Sequence, residues 1–129
     1  MKWLLDTNAV IAIVKHNPKI TQRVRSLDPV EFGISSIVAH ELYFGIYKSE
    51  RHEENLTRFE RLRLAIVEFD REDAHVAGVI RAALALVGSP IGPYDVLIAG
   101  QAKARNLILI TRNVREFDRV GGLHVENWE

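Results

Sequence analysis

The chain has 129 residues, of which 47% are hydrophobic and 26% charged, values typical of one globular domain. It contains no cysteine, which excludes disulfide frameworks, cysteine metal sites and thiol nucleophiles. Its 17 Lys and Arg residues balance its 17 Asp and Glu residues, so the composition argues against a protein that binds nucleic acids mainly through charge.

No segment near the N-terminus is apolar enough for export or membrane insertion. Asp6 interrupts the first apolar run, and the next run, 9–14, ends at Lys15. A secretory signal requires an apolar stretch of about 7–15 residues, and a membrane span requires about 20. We therefore expect a soluble, cytoplasmic protein that has no membrane partner.

Short apolar segments alternate with helical patterns through the first half of the chain. Residues 3–5 predict a buried strand, followed by a helix to Val14 that is capped by Thr7 or Asn8. The further elements predicted up to residue 69 are a helix from Pro18, a strand over 31–35, a helix capped by Ser35 or Ser36 that runs to Lys48, a helix marked by Leu56, Phe59 and Leu62, and a strand over 65–69.

The second half continues this alternation. Asp70 and Asp73 have the spacing of a capping box and open an alanine-rich helix that ends near Gly88. The remaining elements predicted are a loop over 88–93, a sixth helix, a strand over 107–110 and an edge strand over 123–125. The pattern predicts an α/β fold in which a central, mostly parallel β-sheet is flanked by helices on both faces, as a single domain over residues 1–129.

Three acidic residues are directed toward one edge of this sheet. Asp6 ends the first strand and Thr111 follows the fourth, so both belong at the carboxyl edge, where open parallel sheets bind ligands. Glu41 falls within the apolar face of its helix, and Asp95 shares a helix face with small and apolar residues. A carboxylate that faces a core is costly unless it is paired or binds a metal.

Each acid also has an ordinary structural interpretation. Asp6 is placed to cap a helix, and Asp95 lies in a first turn, where the helix dipole favours a negative charge. Glu41 has a possible partner in a buried arginine such as Arg81. Three carboxylates gathered at one edge, however, repel one another and require a proton or a cation. All-oxygen ligands, without cysteine or paired histidines, favour Mg²⁺ or Mn²⁺, and such an ion suits phosphoryl chemistry.

Five segments carry a more specific signal. They are Asp6-Thr7-Asn8, the segment 35–45 around Glu41, the segment 93–99 around Asp95, the segment 111–117 that begins with Thr111-Arg112-Asn113, and the ending 120–128. Together, and in this order, they resemble the PIN-domain nucleases and, among them, the VapC toxins of bacterial toxin–antitoxin pairs. The resemblance covers the whole chain, and it implies a metal-dependent endoribonuclease for which structured RNA, frequently tRNA, is the substrate.

The resemblance also assigns the site residues. Asp6, Glu41 and Asp95 carry over as catalytic carboxylates and metal ligands for Mg²⁺, for which Mn²⁺ is expected to substitute. Many family members have a fourth acid where this chain has Asn113, which we include in the catalytic set. Because an amide cannot neutralise a second cation, we expect one bound ion.

Two nearby acids, Glu116 and Asp118, are available to replace the missing fourth carboxylate. Weaker assignments concern substrate binding, and they comprise Thr7, Asn8, Thr111, Arg112 and Arg115. The arginines that follow the fourth strand, including Arg119, fit equally well as contacts to RNA phosphates and as a solvated surface.

A partner is implied as well. A VapB-type antitoxin is expected to insert a segment, often bearing arginine, into the acidic pocket, because a guanidinium group can offset the carboxylates. Tyr43, Phe44 and Tyr47 either line that groove or pack in the core, and for Phe44 we favour the core. Homodimers and larger toxin–antitoxin assemblies on operator DNA are usual in the family, with the DNA contacts made by the antitoxin.

Other functional classes fit the sequence less well. A phosphoacceptor regulatory domain requires paired acids after the first strand and a lysine after the last, whereas Asp6 stands alone and no lysine follows Thr111. A phosphatase with an aspartate nucleophile usually has a second acid two residues later, where this chain has Asn8. A catalytically silent PIN-like binding module is the remaining alternative, and the presence of all three carboxylates argues against it.

Overall fold

The computed structural model describes residues 1–129 and contains a five-stranded sheet with seven α-helices around it. The strands are β1 (Trp3–Leu5), β2 (Phe32–Ser35), β3 (Ala65–Val67), β4 (Ile108–Ile110) and β5 (Val125–Glu126). The helices are α1 (Thr7–Val14), α2 (Pro18–Arg25), α3 (Ser36–Lys48), α4 (His52–Arg61), α5 (Arg71–Leu86), α6 (Pro93–Ala104) and α7 (Val114–Phe117), with a 3₁₀ turn at Pro29–Glu31. None of the helices is long and apolar enough to span a bilayer.

The sheet is parallel throughout, with the strand order β3-β2-β1-β4-β5. Trp3 of the central strand pairs with Phe32 on one side and with Ile108 on the other. All three residues of β1 are buried, and since successive side chains point to opposite faces, both faces of the sheet are covered. This confirms the predicted α/β fold and places the ends of β1 and β4 side by side.

Helices α5 and α6 pack closely because both present small side chains at their contact. A Cβ atom added at Gly100 would lie 2.5 Å from the Cβ atom and 2.6 Å from the Cα atom of Ala77. The absence of a side chain at Gly100 therefore allows the two helices to approach to backbone contact.

An ion pair between the buried Asp73 and the more exposed Arg105 fixes the carboxyl end of α6 against the start of α5. The Asp73 side chain is 1% exposed and accepts hydrogen bonds from Arg105 Nε and Nη2, at 3.1 and 3.0 Å, and from Gln101 Nε2 at 3.2 Å. Asp73 also completes the predicted capping box with Asp70. The carboxyl end of α6 is thus held against α5, whereas Asp95 lies in the first turn at the opposite end of the helix.

Several local predictions were wrong. The cap of α1 is not Thr7 or Asn8 but Asp6, whose extended backbone and side-chain bond to the Thr7 amide confirm the capping role also considered for that residue. The third strand is shorter than predicted, and the four-residue helix α7 was not predicted. Phe44 does not pack in the core, since its side chain is 64% exposed.

Candidate active site

Four acidic side chains lie at the carboxyl edge of the sheet. Asp6 directly follows β1, and its backbone amide donates to the carbonyl of Ile110 at the end of β4, at 2.8 Å. The other three come from helices packed around this edge: Glu41 from α3, Asp95 from the first turn of α6 and Glu116 from α7. The structure therefore brings together the three acids singled out in the sequence, and it adds Glu116.

Asp6 is the most deeply buried of the four and is oriented by neutral donors. Its side chain is 3% exposed. One oxygen accepts from the Thr7 amide at 2.8 Å, and the other accepts from Thr111 Oγ1 at 2.8 Å and from Asn8 Nδ2 at 3.1 Å. Burial raises the pKa of the Asp6 carboxyl, although these three hydrogen bonds oppose the effect.

The residues predicted to touch substrate divide into two groups. Thr7, Asn8 and Thr111 are engaged within the site, because Thr7 Oγ1 donates to Glu41 at 3.1 Å and Asn8 Nδ2 donates to Thr111 Oγ1 at 3.2 Å. Their hydrogen bonds orient the carboxylates. The side chains of Arg112 and Arg115 instead extend into solvent beside α7.

Glu41 lies at the margin of the buried face of α3. The buried residues of that helix are Val38, Ala39, Leu42 and Ile46, and Glu41 beside them is half-buried. Burial and the neighbouring charge of Asp6 raise its pKa, whereas the bond from Thr7 lowers it. The alternative of a pair with Arg81 is excluded, because Arg81 is exposed and forms no salt bridge.

Asp95 lies beside Glu116, and the negative charges of the site act on its carboxyl group. Glu116 Oε1 accepts from the Gly92 amide at 3.0 Å, and a Cβ atom added at Gly92 would lie 2.9 Å from Asp95 Oδ2. Burial and the charges of Asp6, Glu116 and Glu41 together raise the pKa of Asp95 to about 7. At neutral pH the Asp95 carboxyl therefore holds a proton for much of the time.

Glu116 occupies the fourth position that the sequence assigned to Asn113. The Asn113 side chain is exposed and makes no hydrogen bond, and its backbone amide donates to Thr111 Oγ1 at 3.0 Å. One turn of α7 carries the carboxylate three residues further along the chain, and of the two replacements considered from the sequence, Glu116 and Asp118, it is Glu116 that lies in the cluster, whereas Asp118 is exposed. The reason for expecting a single cation at this site, the lack of a fourth acid, no longer holds.

The electrostatics of the cluster fit a hard cation. None of the four carboxylates forms a salt bridge with a lysine, an arginine or a histidine, and the pKa values of Asp6, Glu41 and Asp95 are all raised. No three acidic or histidine side chains already converge on a common point. The oxygen-only donor set of the four side chains suits Mg²⁺ or Mn²⁺.

Two apolar surfaces flank the site on opposite sides of α3. A groove of about 490 Å³ runs away from Glu41 between α1, α3 and α4, and its apolar lining comprises Ile11, Val14, Leu42, Ile46 and Phe59. On the other side an aromatic stripe, formed by His40, Tyr43, Phe44 and Tyr47, is exposed. The three aromatic residues named from the sequence thus lie outside the lining of the groove that contains Glu41.

Comparison with known proteins places this arrangement in a recognised family. The model of the PIN-domain family matches residues 3–123. The tRNA(fMet)-specific endonuclease VapC of Shigella flexneri is 42% identical over 130 residues, which cover 99% of this chain and 98% of the relative. Ribonuclease VapC2 of Haemophilus influenzae (strain ATCC 51907 / DSM 11121 / KW20 / Rd) is 40% identical over 131 residues, with the same coverage.

Solved structures agree with these relatives. The DNA-bound VapBC complex of Salmonella typhimurium contains a chain that matches with a TM-score of 0.94 at 40% identity, covering 100% of this chain and 99% of that one. VapBC2 of Rickettsia felis, bound to a fragment of promoter DNA, matches with a TM-score of 0.93 at 34% identity over the full length of both chains.

Proposed function

The chain belongs to the PIN-domain family, as a ribonuclease of the VapC type, and from that premise we propose that it cleaves tRNA in a reaction that depends on Mg²⁺ or Mn²⁺. The observation that carries the metal dependence is the cluster of four carboxylates without a cationic partner. The tRNA substrate is supported by two relatives, from Shigella flexneri and Salmonella typhimurium, that are 42% and 41% identical and are named tRNA(fMet)-specific endonucleases.

Asp6, Glu41, Asp95 and Glu116 are the residues that would hold the cation. When bound, such an ion neutralises charge on the phosphate and the leaving oxygen, and it lowers the pKa of a coordinated water. The neutral donors Thr7, Asn8 and Thr111 keep Asp6 and Glu41 at the edge of the sheet. In-line attack of water on phosphorus breaks the bond to the 3′ oxygen, which leaves a 5′-phosphate and a 3′-hydroxyl.

The direct test is cleavage of total RNA by the purified chain, with Mg²⁺ and with EDTA. We expect cleavage only with the ion, and a loss of about 10²-fold or more in rate in Asp6→Asn and Asp95→Asn. Glu50→Gln, which neutralises an exposed acid remote in sequence from the site, is the matched control and should keep the parent rate. Cleavage that persists in EDTA would contradict the metal-dependent mechanism. A folded chain that cuts no RNA would favour the catalytically silent binding module.

A VapB-type antitoxin is the partner we propose for the groove beside Glu41. Relatives of this fold are found in VapBC complexes, and the groove offers an apolar channel that ends at the carboxylates. An amphipathic segment in the channel would place an arginine against the acids, with DNA contacts left to the antitoxin.

Ile11, which lines the groove and is 42% exposed, provides the test. Ile11→Glu should weaken binding of the cognate VapB-type antitoxin, and unchanged binding would argue for another surface.

The aromatic stripe of α3 supports association with a second copy of the chain. His40, Tyr43, Phe44 and Tyr47 have the spacing of one helix face, which is normally covered, yet Phe44 and Tyr47 are 64% and 60% exposed. Light scattering should give the mass of a dimer for the parent and of a monomer for Phe44→Glu. A parent monomer at all concentrations would contradict the proposal.

A further inference from the structure

The segment 87–92 joins α5 to α6 and leads directly into the turn that carries Asp95. A cavity of about 290 Å³ lies beneath part of it, lined by Leu84 of α5, by Pro90 and Ile91 of the segment and by Val96 of α6. Helix α6 also has no side-chain cap at its start. Ile91 packs against the core, so contacts that the rest of the segment makes from its other side bear on where α6, and with it Asp95, begins.

Helix α7 holds the same segment from the other side. Glu116 Oε1 accepts from the Gly92 amide at 3.0 Å, and Arg119 Nη1 donates to the Pro90 carbonyl at 3.2 Å. The two residues are three positions apart and so project from one side of the helical turn. Between and after them, Phe117 and Val120 are 0% and 4% exposed and anchor the turn in the core.

Gly92 couples this contact to the catalytic carboxylate. A Cβ atom at Gly92 would lie 2.9 Å from Asp95 Oδ2, so the carboxyl group lies directly against the backbone that Glu116 holds. A shift of the segment would therefore move the Asp95 carboxylate relative to Asp6, which is fixed independently by β1 and β4.

We propose that α7 and the turn that follows it act as a clamp on the segment 87–92, in which Arg119 is a positioning residue and Glu116 has a structural role besides its charge. The clamp sets the position of Asp95 within the cluster, a consequence for catalysis that rests on the proposed function. Arg119 then serves the site through Pro90, a role that differs from both of those considered from the sequence, an RNA phosphate contact and a solvated surface.

The first test measures amide hydrogen exchange in the full chain by NMR, without RNA or metal. Loss of one hydrogen bond corresponds to about a tenfold change in local opening, so Glu116→Ala should speed exchange at Gly92 about tenfold. Glu116→Gln keeps an acceptor oxygen and should exchange like the parent. Arg119→Ala should also speed exchange at Gly92, and Arg119→Lys, which retains a donor, should restore most of the protection.

Arg115→Ala is the matched control, because it removes the same charge one turn earlier in the chain, from an exposed side chain that makes no hydrogen bond. It should leave exchange at Gly92 unchanged. Parent-like exchange at Gly92 in both Glu116→Ala and Arg119→Ala would overturn the clamp. Since these measurements need neither RNA nor metal, they decide the clamp even if the chain proves to cut no RNA.

The second test separates positioning from RNA binding. Arg119→Ala should weaken Mn²⁺ binding, followed by electron paramagnetic resonance, and should lower kcat by about tenfold with KM for RNA within about twofold of the parent. A raised KM with parent-like kcat, Mn²⁺ affinity and Gly92 exchange would instead make Arg119 a phosphate contact and overturn the proposal.

Discussion

The pKa of the Asp95 carboxyl is raised to about 7 in the folded chain, which means that the ionised form of this group destabilises the fold. In the unfolded chain the group has an ordinary value near 3.8, so between about pH 4 and pH 7 the folded chain holds a proton that the unfolded chain has released. Stability supplied by this group is therefore greatest at acid pH and is lost as the pH rises toward 7.

Asp95→Asn should remove this pH dependence. At pH 8 without metal, we expect the variant to be more stable than the parent by about 1–2 kcal/mol, since half-burial screens part of the shift. At pH 4 the two should be nearly equal. Urea denaturation across this range, in EDTA, measures the difference, and Asp118→Asn provides the control at an exposed site. Parallel curves for Asp95→Asn and the parent would contradict the assignment.

Substitutions at Glu116 and at Asn113 are expected to affect the cleavage rate differently. Glu116→Gln should lower the cleavage rate by about 10²-fold, because it removes charge from the cluster while keeping the bond to Gly92. Asn113→Ala should stay within about threefold of the parent, since its exposed side chain makes no hydrogen bond. Rates on one defined RNA at saturating Mg²⁺ are the measurement, and the reverse order of effects would place Asn113 in the site.

The acidic residues of the site differ in how far they could be predicted from the sequence. Asp6 was accessible because it ends an apolar strand, and Asp95 because it opens a helix with a small, apolar face. Glu116 was only one of two candidates, since a four-residue helix has no periodicity that would orient its side chains. Its place in the cluster depends on the buried anchor Phe117, which is a tertiary contact.

For the helices, the sequence predicted where each one begins better than which of its faces is exposed. Pro18 and the capping box of Asp70 and Asp73 specify where α2 and α5 begin, because each satisfies backbone geometry within a few residues. The exposure of Phe44 was not predictable in this way, since an aromatic residue at helical spacing is usually buried by another element. Here no element of the same chain covers it.

The contact between α5 and α6 gives a stability prediction with an internal control. Gly100→Ala should destabilise the fold by about 1–3 kcal/mol, because the new methyl group would meet the backbone of Ala77. Gly78→Ala, in the middle of α5, has open space around the added atom and should stabilise by about 0.5–1 kcal/mol through helix propensity. Urea denaturation of both variants tests the pair, and equal signs for the two changes would show that this helix contact is looser than described.

The arrangement of the whole sheet was predictable only in part. Alternating strands and helices predict parallel strands, but they do not specify that β1 lies between β2 and β4. That order matters, because it places Asp6 beside Thr111 and leaves the helices to bring Glu41, Asp95 and Glu116 to the same edge. The site is therefore a property of the topology, assembled from residues separated by up to 110 positions in the chain.

This gathering of like charges predicts that the whole molecule is stabilised by a divalent cation. A ligand that binds only the folded chain raises its stability, so Mg²⁺ at pH 8 should raise the Tm by about 2–5 °C over NaCl of equal ionic strength. The double variant Asp6→Asn, Asp95→Asn should melt higher than the parent in EDTA, because the repulsion and the buried charge are relieved, yet it should not respond to Mg²⁺. Differential scanning calorimetry distinguishes these outcomes. An equal gain from NaCl, or a Mg²⁺ response that persists in the double variant, would show that the stabilising cation binds elsewhere than at these carboxylates.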